Sequence, residues 1–265
     1  HKPRYKETNI MKKKKSKKKI IIGAVLFLVV ILLIVTFTSK EHTSEGVAYI
    51  KEQEALKTKK LSKKLTNKRI EEKTTLIKEG KIDVFSMFDD YVLYGDSRVY
   101  GFGSYGFLPW NNVFAAAGNT ILNITDFNDQ VKQINPSNLY FSYGVNDMGL
   151  DLKKEGGTYA DLYEEKVREV LKIVPKAHVF INSIIPPTAE TLAENPRWDK
   201  ANEYNTQLKA MCEKNGWTYI DVTSVTDDGN PEYYQADGVH FIRDIYPIWA
   251  QKMIDATINE EEHSK

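Results

Sequence analysis

The sequence predicts an α/β domain in its C-terminal two-thirds, with a parallel β-sheet covered by helices on both faces. Short apolar runs alternate there with amphipathic stretches, as expected of strands buried between helices. Three of the five predicted strands run into a glycine, and ligands of such sheets bind at the carboxyl ends of the strands. The predicted strands are residues 91–94, 113–117, 139–143, 178–183 and 217–222. The predicted helices are residues 125–134, 159–174, 202–215 and 245–259.

The formal net charge of +1 conceals two parts of opposite sign. Residues 1–80 hold 21 Lys and Arg against 8 Asp and Glu, whereas residues 81–265 hold 16 against 28, giving +13 and −12. A nucleic-acid-binding domain needs a basic face, so the acidic part is not predicted to bind nucleic acid. The single cysteine, Cys212, excludes an intrachain disulfide framework and a zinc site built on several thiolates.

Residues 20–39 form an uncharged, mainly aliphatic run that directly follows seven lysines in positions 12–19. At a rise of 1.5 Å per residue, roughly 20 residues span the hydrocarbon layer of ~30 Å. We therefore predict a transmembrane helix at 20–39, a basic cytoplasmic segment at 1–19 and an extracellular C-terminal part. The alternative is a cleaved signal peptide. Its apolar stretch is usually shorter and ends at a small-x-small site, which Thr36–Glu41 does not offer.

Residues 40–80 are predicted to form a charged stalk between this segment and a globular domain at 81–265. Val47–Glu79 contains neither Gly nor Pro and is rich in Lys and Glu, with thinly spaced aliphatic residues. This composition is typical of a long exposed helix or of a partly disordered linker, and both interpretations stay open.

Polar residues and glycines that are candidates for a catalytic site follow the predicted strands. Ser97 comes after the first strand, Gly118 after the second and Asn146 after the third. Asp237 and His240 are three residues apart just before the last helix, a spacing that lets the carboxylate reach the imidazole. Each feature alone is a common turn or helix cap.

Together these residues supply every part that nucleophilic ester cleavage needs. A serine hydroxyl requires an adjacent base, and a histidine serves as that base when a carboxylate fixes its tautomer. Donors aimed at the developing oxyanion complete such a site. The combination therefore predicts a serine hydrolase.

These motifs resemble those of the SGNH hydrolases, also called the GDSL esterase/lipase family, over about residues 90–258. Where the family often has Leu after the serine, this chain has Arg98. The matching motifs, in the family's order, are Tyr94-Gly95-Asp96-Ser97, Gly118 followed by Asn119, Gly144-Val145-Asn146-Asp147 and Asp237-Gly238-Val239-His240.

The resemblance implies a fold and a role for each site residue. The fold is a flavodoxin-like three-layer α/β/α sandwich around a five-stranded parallel sheet. Ser97 would be the nucleophile, His240 the base and Asp237 its orienting partner. The backbone N–H groups of Ser97 and Gly118, with the Asn146 side chain, would form the oxyanion hole. No cofactor and no metal is implied.

The family acts on many esters, so the substrate is predicted from the organisation of the chain. A domain held outside the membrane on a stalk can reach cell-wall or capsule polysaccharide. We therefore expect a single-pass protein that hydrolyses O-acyl esters on carbohydrate, with acetyl favoured. The seven-lysine block, the lack of disulfides and the Lys-rich composition favour a Gram-positive bacterium as its source. An O-acyltransferase using the same acyl-Ser97 intermediate is the first alternative, and a non-catalytic glycan-binding domain is the second.

Two further features bear on the substrate. Ile184–Lys200 is the longest candidate lid, and its polar composition favours short acyl groups. Aromatic side chains after the nucleophile and after the Pro186-Pro187 loop are predicted to contact sugar rings, with core packing as the competing interpretation. The residues predicted to make these contacts are Tyr100, Trp110 and Trp198.

Overall fold

The computed structural model describes residues 26–30, 45–227 and 229–263. The chain divides into two compact units, His1–Lys68 and Arg69–Lys265. In the first unit, residues 26–30 are helical and helix α1 (Glu45–Lys78) begins, with the side chains of residues 47–66 exposed to solvent. The described residues contain no helix that combines the length and the apolar character needed to cross a membrane. Most of the predicted transmembrane segment, residues 20–25 and 31–39, lies outside the described residues.

The second unit is built around a five-stranded sheet in the order β2-β1-β3-β4-β5. Every neighbouring pair is parallel, which confirms the predicted parallel sheet. The strands are β1 (Tyr91–Gly95), β2 (Val113–Ala115), β3 (Asn138–Ser142), β4 (His178–Asn182) and β5 (Thr218–Ile220).

Seven helices of the second unit are described after α1. The segment predicted as a helix from residue 125 instead begins as a 3-10 helix over Ile121–Phe127, because Thr120 caps its start and accepts a hydrogen bond from the Leu122 N–H. The short helices α2, α4 and α6 were not predicted. The seven helices are α2 (Ser97–Ser104), α3 (Asn128–Ile134), α4 (Val145–Gly149), α5 (Tyr159–Leu171), α6 (Ala189–Glu194), α7 (Ala201–Asn215) and α8 (Ile245–His263).

The sheet buries a separate hydrophobic core on each face. Successive strand residues point to opposite faces, so Val92 and Tyr94 of β1 join one core and Leu93 joins the other. The first core includes residues of α5 and α7, such as Val167 and Leu208, and the second includes residues of α2 and α8. The result is the three-layer α/β/α arrangement.

The register of the sheet brings several chain segments to one edge. Gly95 at the end of β1 lies opposite Ala115 of β2 and Ser142 of β3. Because these strands are parallel, the segments that follow them leave the sheet at the same edge. Ser97 and Asn146 are carried by two of these segments.

Candidate active site

Ser97 stands at the first position of α2, on a tight turn that leaves β1. Asp96 caps the helix, since its Oδ1 accepts a hydrogen bond from the Arg98 N–H at 2.9 Å. Gly95 is required at this turn because a Cβ there would lie 2.2 Å from Val99 Cγ2 and 2.7 Å from the Ser142 carbonyl oxygen. The close packing of α2 against the sheet therefore fixes the backbone that presents the serine.

Asp237 and His240 belong to one short loop before α8. An antiparallel bridge between Tyr234 and Phe241 closes this loop at its base. The Asp237 Oδ1 accepts hydrogen bonds from the N–H groups of Val239 and His240, both at 2.9 Å. The loop backbone thus holds the carboxylate in place and leaves Oδ2 for the imidazole.

The structure brings Ser97, His240 and Asp237 into one hydrogen-bonded chain. His240 Nδ1 lies 2.6 Å from Asp237 Oδ2, and His240 Nε2 lies 2.8 Å from Ser97 Oγ. With Nδ1 as the donor to the carboxylate, Nε2 is the free acceptor for the serine proton. The arrangement meets the geometric requirement for general-base activation of a serine.

The electrostatics of Asp237 suit an orienting carboxylate. Burial raises its pKa, but hydrogen bonds from the His240 side chain and from two backbone N–H groups outweigh that effect, so the pKa of Asp237 lies below its ordinary value. The carboxyl is therefore ionised at neutral pH, as a group that stabilises a protonated imidazole must be.

Asn146 reaches the site from the first turn of α4. Its Nδ2 donates a hydrogen bond to the Asn119 carbonyl oxygen at 2.8 Å, so the amide rests against the turn that contains Gly118. Gly144 precedes this helix with a φ of +150°, and a Cβ there would lie 2.3 Å from Ile184 Cδ1. The structure thus joins the Gly118 turn to Asn146 beside Ser97, while donation of these groups to an oxyanion stays a prediction.

Two buried carboxyls lie behind the catalytic residues. Asp147 is fully buried, and its Oδ1 accepts a hydrogen bond from the Ile121 N–H at 2.9 Å, which links α4 to the 3-10 helix. Burial raises the pKa of Asp147 to about 7. Burial also raises the pKa of Asp96, against the opposing effect of the Arg98 charge.

A cavity of about 280 Å³ opens beside the nucleophile. One wall is formed by α6 and the 3-10 turn Pro196–Trp198, and Val145 and Val239 also line the cavity. Trp198 borders the cavity, while its contact with substrate stays a prediction. The segment predicted as a lid, Ile184–Lys200, contains the three polar residues of this wall. Their individual contacts, such as the 3.2 Å hydrogen bond from a threonine of α6 to the Asp237 carbonyl, were not predicted. These three residues are Thr191, Glu194 and Asn195.

Tyr100 and Trp110 lie together outside this cavity. Their ring centroids are 4.8 Å apart, and the two residues are 43 % and 48 % exposed. Trp110 borders a different groove of about 420 Å³, which it shares with Phe114 and Phe127 beside the edge strand β2. Contact of Tyr100 or Trp110 with substrate stays a prediction, and the small cavity at Ser97 does not include either ring.

Within residues 26–30, 45–227 and 229–263, no three His, Cys, Asp or Glu side chains converge as metal ligands would. The thiol of Cys212 is buried, and burial raises its pKa to about 12. A thiol in that state is a poor nucleophile, so the candidate chemistry rests on Ser97.

Comparison with known proteins gives a family match and several similar folds. The model of the GDSL-like Lipase/Acylhydrolase family matches residues 93–246. No curated protein matches the chain. A protein from Bacteroides fragilis, solved as a candidate acylhydrolase, is 18 % identical, with a TM-score of 0.50 over 63 % of this chain and 87 % of its own. At that identity the likeness supports the fold alone.

Two further solved structures are similar at lower TM-scores. A lipase/acylhydrolase from Enterococcus faecalis is 18 % identical, with a TM-score of 0.49 over 66 % of this chain and 96 % of its own. An acetylxylan esterase from Geobacillus stearothermophilus is 17 % identical, with a TM-score of 0.46 over 63 % of this chain and 92 % of its own.

The family match spans more than half of the chain and includes Ser97, Asn146, Asp237 and His240. The chain therefore belongs to the GDSL-like lipase/acylhydrolase family.

Proposed function

We propose that this protein is a serine esterase that removes short O-acyl groups, with acetyl favoured, from cell-surface carbohydrate. The observation that carries the proposal is the hydrogen-bonded chain from Asp237 through His240 to Ser97 at a small cavity. The same chain argues against a purely glycan-binding domain, since a binding site needs no base within 2.8 Å of a serine hydroxyl.

The reaction would proceed in two steps. Ser97 Oγ attacks the acyl carbonyl while His240 Nε2 takes its proton, and the same nitrogen then returns the proton to the departing sugar oxygen. The Asn146 amide, with backbone N–H groups of Ser97 and Gly118, would stabilise the oxyanion. Water, activated by His240, then releases the acyl group from Ser97 as a carboxylic acid.

The residues of the cavity wall favour a substrate with a short acyl group and a polar alcohol. Thr191, Glu194 and Asn195 offer hydrogen bonds. The apolar lining consists of Val145, Val239 and Trp198, whereas each buried CH₂ of a long chain needs an apolar contact to contribute ~0.8 kcal/mol. Trp198 supplies one aromatic face in this wall, and such a face suits stacking on a sugar ring. We therefore expect aryl acetate to be cleaved faster than butyrate, with octanoate slowest.

The deciding experiment measures both fates of the acyl group. Wild-type protein and Ser97→Ala are incubated with O-acetylated polysaccharide, with and without an unacetylated sugar acceptor. Free acetate and acetylated acceptor are then quantified. Acetate release that depends on Ser97 supports the esterase. Transfer to the acceptor in preference to release would make the protein an O-acyltransferase, and neither product would refute enzymatic action on these glycans.

We further propose that residues 20–39 anchor the protein in the cell membrane with residues 1–19 in the cytoplasm. The uncharged run and the preceding seven lysines support this orientation. The test is protease treatment of intact cells that express the full chain. The α/β unit should be digested without lysis, whereas its protection until lysis would contradict an extracellular position.

A further inference from the structure

Arg98, the residue directly after the nucleophile, is a cation buried in the interior of the domain. Only 4 % of its surface is exposed, although arginine is almost never fully buried without partners.

The guanidinium of Arg98 contacts residues on both sides of the catalytic histidine. Its Nε donates a hydrogen bond to the Val239 carbonyl oxygen at 3.0 Å, immediately before His240. Its Cζ lies 4.7 Å from the ring centroid of Phe241, immediately after His240, in a cation–π contact. The two contacts hold the backbone on either side of the base.

The same guanidinium also binds a second segment at the carboxyl edge of the sheet. Its Nη1 donates a hydrogen bond to the carbonyl oxygen of Ile185, which follows β4. The planar fork of arginine can bridge two carbonyl groups in fixed directions, whereas leucine offers no donor and lysine offers a single flexible point charge. Arg98 therefore ties the histidine loop to the sheet edge as well as to the nucleophile turn.

Asp96, on the other side of the nucleophile, is also buried. Its carboxyl is 3 % exposed and interacts electrostatically with Arg98, while the Arg98 N–H donates to its Oδ1. An acidic and a basic residue thus lie buried on the two sides of Ser97, and the side chain of the basic one reaches across to the histidine loop.

We propose that Arg98 is a positioning residue, which holds the loop of residues 237–241 so that His240 Nε2 stays within hydrogen-bond distance of Ser97 Oγ. The inference rests on the proposed esterase chemistry at Ser97, and it adds a determinant of the Ser97–His240 distance that lies outside the triad and the oxyanion hole. Removing the fork leaves the Val239 carbonyl of the loop and the Ile185 carbonyl at the sheet edge without their donor, so the loop is expected to move away from the serine.

The test compares Arg98→Leu and Arg98→Lys with wild-type full-length protein. Arg168→Leu is the matched control, because Arg168 also stacks on an aromatic ring, that of Trp217 at 5.6 Å, but lies on the exposed face of α5. Three quantities are measured: kcat and KM on an aryl acetate, the rate of covalent labelling of Ser97 by a fluorophosphonate, and amide hydrogen exchange in residues 237–241 and in β3.

Arg98→Leu should lower kcat on the order of 10²-fold with little change in KM, because a misplacement of about 1 Å in a catalytic group has an effect of that size. The labelling rate should fall in parallel. Amides in residues 237–241 should exchange faster, while those of β3 stay protected. Arg98→Lys should recover part of the loss, and Arg168→Leu should behave as wild type.

Wild-type exchange in residues 237–241 together with near-wild-type kcat in Arg98→Leu would overturn the inference. If Arg98→Leu does not fold, Arg98→Lys decides, since wild-type kcat, labelling and exchange in that variant would show that the fork is dispensable. If wild-type protein neither hydrolyses esters nor labels at Ser97, the esterase proposal fails. The exchange data then decide independently whether Arg98 holds the loop.

Discussion

Replacing Asp147 with asparagine is expected to change how the stability of the domain depends on pH. The Asp147 carboxyl is fully buried, and its Oδ2 has no hydrogen-bond partner within the described part of the chain. Burial raises its pKa from an ordinary 3.8 to about 7, against the hydrogen bond from the Ile121 N–H. The substituted amide keeps an oxygen for that N–H but carries no titrating proton.

The sign and size of the effect follow from proton binding in the two states. The unfolded chain loses the Asp147 proton near pH 4, whereas the folded domain keeps it until about pH 7. Between these values the folded state binds more protons, so the free energy of unfolding falls as pH rises. A difference of about 3 pKa units corresponds to on the order of 4 kcal/mol at ~1.4 kcal/mol per unit.

The measurement is urea unfolding of wild-type protein and Asp147→Asn between about pH 4.5 and 8. Tryptophan fluorescence is a suitable signal because all four tryptophans lie in the second unit. Asp147→Asn should gain stability relative to wild type as pH rises. A difference between the two proteins that does not vary with pH would refute the reasoning.

Asp161→Asn is the control for this experiment. Asp161 lies on the surface of α5, where hydrogen bonds from the Thr158 N–H and hydroxyl lower its pKa. A carboxyl whose pKa is lowered by folding stabilises the folded state at pH values above its ordinary pKa. That stabilisation is lost only as the pH falls through the folded-state pKa. The free energy of unfolding of Asp161→Asn should therefore differ from that of wild type by a constant amount over the same pH range.

Three further substitutions test the site. Ser97→Ala should abolish ester hydrolysis and leave the urea midpoint unchanged, because the hydroxyl sits at a partly exposed turn; residual wild-type turnover would exclude the acyl-Ser97 intermediate. Asn146→Ala should lower kcat by ~10²–10³ for acetate and butyrate alike, as expected for loss of an oxyanion donor. An effect on one acyl length only would mean that Asn146 shapes the pocket. Gly144→Ala should lower the free energy of unfolding by ~1–3 kcal/mol, since its Cβ would meet Ile184 at 2.3 Å in a strained backbone; unchanged urea unfolding would show that Ile184 yields freely.

Local sequence patterns were enough to predict the central sheet. Each strand is a short apolar run, and the observed first and last residues of each strand lie within a few positions of the predicted ones. The β-branched and aromatic side chains of these strands pack on both faces of the sheet, so the register has little freedom. The helices α5, α7 and α8 were predicted for a similar reason, since each spans several turns. The short helices α2, α4 and α6 were not predicted, because a segment of five to eight residues shows no reliable helical period.

The residues now found in the hydrogen-bonded chain were predictable because their spacing and the family motifs are local in sequence. The wall segment was predicted only as a lid over Ile184–Lys200. Its contacts at the site were not predictable, because they depend on a hydrogen bond of 2.9 Å from the Thr188 N–H to the Gly238 carbonyl, fifty residues away. The burial of Arg98 could not be predicted from the sequence either. A charged residue is expected at the surface, and its carbonyl acceptors at Val239 and Ile185 belong to segments that only the folded chain brings near.

The bridge between Tyr234 and Phe241 has a consequence for the order in which heat disables the site. Asp237 and His240 lie in the same closed loop, so their contact depends on a few neighbouring residues, whereas the contact of His240 with Ser97 spans 143 positions and needs the whole domain packed. On warming, the serine should part from the imidazole while the imidazole still holds its carboxylate. Proton NMR would then detect the Nδ1–H resonance of His240 at temperatures where turnover has already ceased.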